Sequence, residues 1–117
     1  MNIQLNQFFQ LLSDDTRLRS LLLMQQEGEL CVCELVHALG VIQPKVSRHL
    51  AALRDCGVVN DRRSGQWIYY QISLELPTWA HQVIEAAATE VASQKILKKD
   101  RAELAKMPDR PGIARCA

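Results

Sequence analysis

Gly40 and Pro44 stand four residues apart between two short apolar patterns, and this punctuation restricts the fold more than any other feature of the chain. A glycine can take the left-handed conformation that closes a helix. A proline is tolerated in the first turn of the next helix, where the amide hydrogen it lacks has no partner anyway. Before the glycine, Leu35, Val36 and Leu39 mark a short helix ending at Gly40. After it, from Pro44 to Cys56, Val46, Leu50 and Leu53 follow the i, i+4, i+7 spacing of a core-facing stripe. Two helices joined by a tight turn predict a helix-turn-helix.

The stripe leaves Lys45, Arg48, Ala51, Ala52 and Asp55 on the opposite side of the second helix. Small alanines permit close approach to a surface, and Gln43, Lys45, Ser47, Arg48 and His49 crowd the N-terminal half, the part of a recognition helix that reaches base edges. The formal net charge is only +1, but Lys45, Arg48, Arg54, Arg62 and Arg63 fall between Pro44 and Gln66 against only Asp55 and Asp61. Phosphate binding depends on such a local basic surface and not on the total. Beyond the helix, 58–63 and 67–72 are rich in β-branched and aromatic residues and flank Ser64-Gly65, which predicts a hairpin. Its Arg62, Arg63 and Gln66 are candidates for contact with a phosphate backbone or minor groove, while Ile68, Tyr70 and Ile72 alternate toward the core.

The flanks are helical. Phe8, Phe9, Leu11 and Leu12 mark a first helix over 6–12, and Ser13-Asp14-Asp15 supplies caps for a second, with Leu18, Leu21, Leu22 and Met24, that stops near Gly28. Ser73 or a neighbour caps a last helix, with Pro77 in its first turn, that runs through Trp79, Val83, Ile84, Ala87, Val91, Ile96 and Leu97 toward Lys106. The fold expected is mainly α with a small β-hairpin, a winged helix-turn-helix of order ααααββα over 1–106. Pro108, Asp109, Pro111 and Gly112 break any pattern in 107–117, where a mobile tail is expected. A chain of 117 residues gains by sharing apolar helices with a second copy, so a homodimer through the first and last helices is expected. The longest apolar run, Leu21 to Met24, is too short to span a bilayer and the N-terminus has no basic start, so a cytoplasmic protein without a membrane partner is expected. In that compartment the four cysteines are thiols or metal ligands before they are disulfides.

Glu29-Leu30-Cys31-Val32-Cys33-Glu34-Leu35 and Gln43-Pro44-Lys45-Val46-Ser47-Arg48-His49-Leu50 resemble the ArsR/SmtB family of metalloregulatory repressors, and most closely its arsenic-responsive branch. Stretches 12–18 and 61–67 extend the likeness, which covers Phe8 to Trp79. The resemblance implies a homodimeric DNA-binding repressor that sits on a palindromic operator and leaves it when a metal or metalloid binds. Two recognition helices would enter successive major grooves, Ser47 and Arg48 reading bases, with Lys45, Arg54, Arg62 and Arg63 on phosphates and His49 near one. The inducer implied is As(III) or Sb(III), bound at Cys31 and Cys33. No catalytic cofactor and no catalytic residue are expected.

Two thiolates suit any soft, thiophilic centre, As(III), Sb(III), Cd(II) or Pb(II), and a helix N-terminus is expected to lower thiol pKa. In a regular helix, residues i and i+2 point about 200° apart, so both sulfurs can hold one ion only if the segment is extended or its first turn unwinds. Arsenic-responsive members often carry a third cysteine three positions beyond the second, where this chain has Val36. The third position then falls to water, an external thiol, Cys56 or Cys116, from the same or the other protomer. Cys56, beside Gly57, fits a packing role better. His81 and Glu85 form an i, i+4 pair like the ligands of zinc- and cobalt-sensing branches, but Trp79 stands where an aspartate belongs and no second histidine follows. His37 has no assigned role. The alternatives of the same fold are a cadmium- or lead-responsive repressor, although the N-terminal cysteines of those sensors are missing, and a repressor in which Cys31 and Cys33 oxidise together. A small thiol enzyme would need a Cys-x-x-Cys in a βαβ setting, which the chain lacks.

Overall fold

The computed structural model of the chain describes residues 3–111. In order come α1 (Leu5–Leu12), α2 (Asp15–Glu27), β1 (Leu30–Cys31), α3 (Val32–Leu39), α4 (Gln43–Asp55), β2 (Val59–Ser64), β3 (Trp67–Ile72), α5 (Thr78–Ala88), a 3-10 turn (Val91–Ser93) and α6 (Lys95–Ala105). Asp14 caps α2 by accepting the Arg17 backbone N–H at 3.0 Å. Gly40 closes α3 at φ 67°, ψ 32°, the left-handed conformation the sequence predicts, and Pro44 sits in the first turn of α4. The stripe of Val46, Leu50 and Leu53 is fully buried and packs with Leu21, Leu35, Val58 and Leu104 in one core. Burial of each such side chain stabilises the fold by roughly 1.5–3 kcal/mol before the entropy of ordering is counted.

The hairpin forms as expected, with Arg62 opposite Tyr69 and Ser64 opposite Trp67, but a third strand joins it. β1 pairs antiparallel with the far side of β3, Leu30 opposite Tyr70 and Cys31 opposite Tyr69, giving the sheet order β1-β3-β2. Two residues are too few to show alternation, so nothing in the sequence announces this strand. Tyr69, on the opposite face from Tyr70, is buried as well, and the Arg62 guanidinium lies 4.8 Å from its ring centroid, a cation–π contact.

The single long last helix is not formed. α5 begins after Pro77, which occupies the capping position expected of Ser73, while the Ser73 hydroxyl accepts the Glu75 N–H at 3.2 Å in the preceding turn. α5 ends at Ala88, and Gln94, extended at φ −107°, ψ 110°, starts a separate α6. Hydroxyls provide the local reason: Thr89 Oγ1 donates to the Ala86 carbonyl at 2.6 Å and Ser93 Oγ to the Glu90 carbonyl at 2.8 Å, offering the backbone an alternative to the helical ladder. The tertiary reason is Asp100. The broken chain turns back so that this buried carboxylate receives Arg19 of α2 in two bonds, Nε at 2.8 Å and Nη2 at 2.7 Å. Arg19 also donates to the Leu39 carbonyl at 3.0 Å and to Asp15 at 3.1 Å, so one guanidinium joins α2, the end of α3 and α6. Its hydrogen bonds to Asp100 hold it protonated well beyond its ordinary range, against the opposing effect of burial. Packing continues past Lys106, where Arg110 reaches Glu27 and Glu34.

Candidate DNA interface and thiol site

Because Val46, Leu50 and Leu53 face the core, Lys45 and Arg48 are exposed on the outer side of α4, while Gln43 is exposed at its first position and Ser47 is half-buried. Lys45, Arg48 and the hairpin's exposed Arg63 form no ion pair among the described residues. The other two arginines are engaged. Arg54 spans Asp55 at 3.3 Å and Asp61 at 3.2 Å, and Arg62 holds Glu29 in two bonds of 2.6 and 3.0 Å. Either would have to exchange a carboxylate for a phosphate to touch DNA.

His49 stands apart from the outer face. It is half-buried against α2, with Arg17 Nη1 3.1 Å from Nδ1 and Asp14 Oδ2 3.7 Å from Nε2, which places it in the packing between α2 and α4 and not on an open phosphate-binding surface. Burial pushes its pKa below the usual 6.5, and neighbouring Arg17, Arg48 and Lys45 add to this against the opposing Asp14. An arginine donating to Nδ1 requires the neutral ring with its hydrogen on Nε2. A depressed folded-state pKa contributes stability that is present above the unfolded value and is lost as pH falls through the folded one. His49 is therefore expected to titrate below 6.5 by NMR, and His49→Gln to flatten the loss of thermal stability on acidification across that range. A midpoint above it would show the ring to be an ion-pair cation.

The thiol pair lies where strand becomes helix. Cys31 ends β1 and caps α3 with extended backbone, φ −84°, ψ 162°, while Cys33 belongs to the first turn of α3. Because Cys31 stands in extended backbone ahead of the helix, the obstacle of two side chains pointing apart in a regular helix is removed without unwinding, and both thiols line one cleft. Glu34 closes a capping box around them: its backbone N–H meets the Cys31 sulfur, and its Oε1 accepts the Cys31 N–H at 2.8 Å. Burial pushes the Cys31 thiol far up, and neighbouring Cys33 pushes the same way. The helix amide of Glu34 acts in the expected lowering direction but is outweighed, so the site holds the Cys31 thiol toward its protonated form, contrary to the expectation of a reactive thiolate.

A cleft of about 210 Å³ opens on this pair. Its walls include Cys31, Cys33, Gln43 and Ser47 of α4, and Gln66 and Trp67 of the hairpin. Candidates for thiol chemistry and for DNA contact, separate along the sequence, thus share one cavity. Cys56 does not join them: it caps the C-terminus of α4, where Gln7 Nε2 donates to its sulfur at 3.5 Å. Cys116 lies outside the described residues, and among those described no three His, Cys, Asp or Glu side chains converge on a metal position. His81 and Glu85 line a different cleft with Leu74 and Ile84. Glu34 is the site residue that sequence reasoning missed. Its signal is the cap-x-x-Glu spacing of a capping box, disguised by cysteine in place of serine or threonine.

A family of proteins described as bacterial regulatory proteins of the arsR family matches residues 14–61. The arsenic resistance transcriptional regulator ArsR1 of Pseudomonas putida is 50% identical over 103 residues, covering 88% of this chain and 79% of its own length. The arsenical resistance operon repressor of Escherichia coli is 49% identical over 81 residues, 69% of each chain. Among solved structures, the antimony-specific transcriptional repressor AntR superposes with a TM-score of 0.64 at 30% identity, over 75% of this chain and 77% of that one.

Proposed function

Because the chain belongs to the arsR family of bacterial transcriptional regulators, we propose that it is a homodimeric operator-binding repressor, working in the cytoplasm, that trivalent arsenic or antimony releases from DNA at Cys31 and Cys33. The observation that carries this reading is the shared cleft. A ligand joining the two sulfurs sits beside Gln43, Ser47 and Gln66, three of the side chains assigned to the operator, and pulls on the β1–α3 junction that leads through Gly40 into α4. Arg48 and Ser47 are assigned to base edges, and Lys45, Arg54, Arg62 and Arg63 to phosphates. No residue is assigned to catalysis, and no helix among the described residues is long and apolar enough to cross a membrane.

The protonation of Cys31 favours a metalloid over a divalent cation. Arsenous acid is neutral, and each sulfur–arsenic bond that forms releases one water, the thiol proton leaving with an arsenic hydroxyl. Two such condensations consume two thiols and leave one arsenic hydroxyl in place, open to exchange for an external thiol or for Cys116. A bare dication must instead displace both thiol protons into solution, against the burial that holds the Cys31 proton in place.

Titration of the protein on labelled operator at fixed salt tests both points. Arsenite is expected to lower operator affinity roughly 5- to 150-fold, the usual range of an allosteric coupling. Its own affinity should be nearly level between pH 6.5 and 7.5, whereas cadmium affinity should rise about tenfold per pH unit for each proton released. Release by cadmium but not by arsenite would make this a cadmium or lead sensor. Two thiols lining one cleft also suit joint oxidation, and release by peroxide but not by arsenite would make that the function instead.

A further inference from the structure

The carboxylate of Glu34 is 2% exposed, and both its oxygens are committed. Oε1 accepts the backbone N–H of Cys31 at 2.8 Å, and Oε2 receives Nε of Arg110, 76 positions along the chain and beyond the end of α6. Arg110 also approaches Glu27 at 3.9 Å, and Arg101 of α6 pairs with the same Glu27 at 2.6 Å. At the other end of α3, Asp100 of α6 holds the arginine that bonds the Leu39 carbonyl. α3 is therefore gripped at its tail by α6 and at its head by the residues that follow α6.

A buried carboxylate bonded only to a backbone amide is costly; without a cation it would leave its pocket or take up water. Leaving would free the Cys31 amide and open the reciprocal cap that holds Cys31 extended beside Cys33. We infer that Arg110 is a positioning residue of the thiol site: by pairing with Glu34 it fixes the backbone of Cys31 so that both sulfurs face one ligand. Arg110 is not among the residues lining the thiol cleft, and it acts through Glu34, whose other oxygen holds the Cys31 amide. It stands to the sulfurs as the outer-shell partner of a metal ligand does, and removal of such partners typically costs 10- to 100-fold in affinity. The inference rests on the reading of Cys31 and Cys33 as the inducer site.

The test uses the full chain as wild type, Arg110→Gln and Arg110→Lys, each titrated with arsenite on labelled operator. Arg110→Gln should bind operator without arsenite within about twofold of wild type yet require roughly 10- to 100-fold more arsenite for half-release, with Arg110→Lys regaining much of the response. An unchanged arsenite requirement overturns the inference. So does a loss of operator affinity in step with the loss of response, because that is the mark of a residue that only supports the fold. Wild type that ignores arsenite overturns the inducer assignment and this inference with it. A responsive wild type with an equally responsive Arg110→Gln overturns this inference alone.

Discussion

Cys31→Ser combined with Cys33→Ser is expected to keep operator affinity within about twofold of wild type, because serine is a preferred N-cap that can retain the box with Glu34. The same protein should lose arsenite-induced release altogether, a change from roughly 5- to 150-fold down to none. Oxygen in place of sulfur keeps the hydrogen bonds of the cap but forms no durable bond to a soft, thiophilic centre. Gel shift over an arsenite series, with mass measurement of the arsenic adduct on intact protein, checks both halves. Normal release by the double variant would place the inducer site elsewhere in the chain. The single variants add the order of dependence: Cys31 is fully buried and holds the cap, whereas Cys33 is only half-buried.

Asp100→Ala is expected to be the most damaging single substitution outside the apolar core. It leaves the Arg19 guanidinium buried without its two shortest hydrogen bonds, both to Asp100, and breaking a buried pair in this way costs about 3–5 kcal/mol. Against a total stability of about 5–15 kcal/mol, the loss should lower the thermal midpoint by ten degrees or more, on the order of 3–4 °C per kcal/mol for a chain of this size. Replacing both partners, Arg19→Met with Asp100→Leu, should recover most of the loss, since apolar groups of similar volume remove the desolvation penalty along with the attraction. Urea melts of the two singles and the double close the cycle. A double variant no better than Asp100→Ala would mean that the bonds from Arg19 to Leu39 and Asp15 carry the stabilisation instead.

The parts of the fold legible in the sequence are those with a local physical cause. The stripe of Val46, Leu50 and Leu53, the left-handed Gly40, Pro44 in a first turn and the Ser64-Gly65 hairpin each follow from the residues within a few positions, and each is present. What escaped depends on partners far along the chain. β1 exists because β3 lies beside it about 40 positions later, and its two residues carry no period of their own. The apolar spacing of 79–97 continues across the break between α5 and α6, so periodicity alone joined two helices that hydroxyl bonds and the Arg19–Asp100 pair separate. At the candidate site the thiol pair and the outer face of α4 were visible as residues. Their convergence on one cleft, the inward turn of His49 and the role of Glu34 came only with the tertiary structure.

The bond between Arg62 and Glu29 has a consequence for competition between ligands. Glu29 immediately precedes the strand that ends in Cys31, so the hairpin arginine assigned to a phosphate also anchors the sulfur-bearing segment. An operator phosphate that captures Arg62 takes it from Glu29, loosening the approach to the thiols at the moment DNA binds. Under the proposed function, bound DNA would then oppose its own inducer, and thermodynamic reciprocity would make it weaken arsenite by the factor with which arsenite weakens it. On that assignment the threshold at which the operator is vacated would be set jointly by free metalloid and free operator, through one guanidinium that cannot serve two anions fully at once.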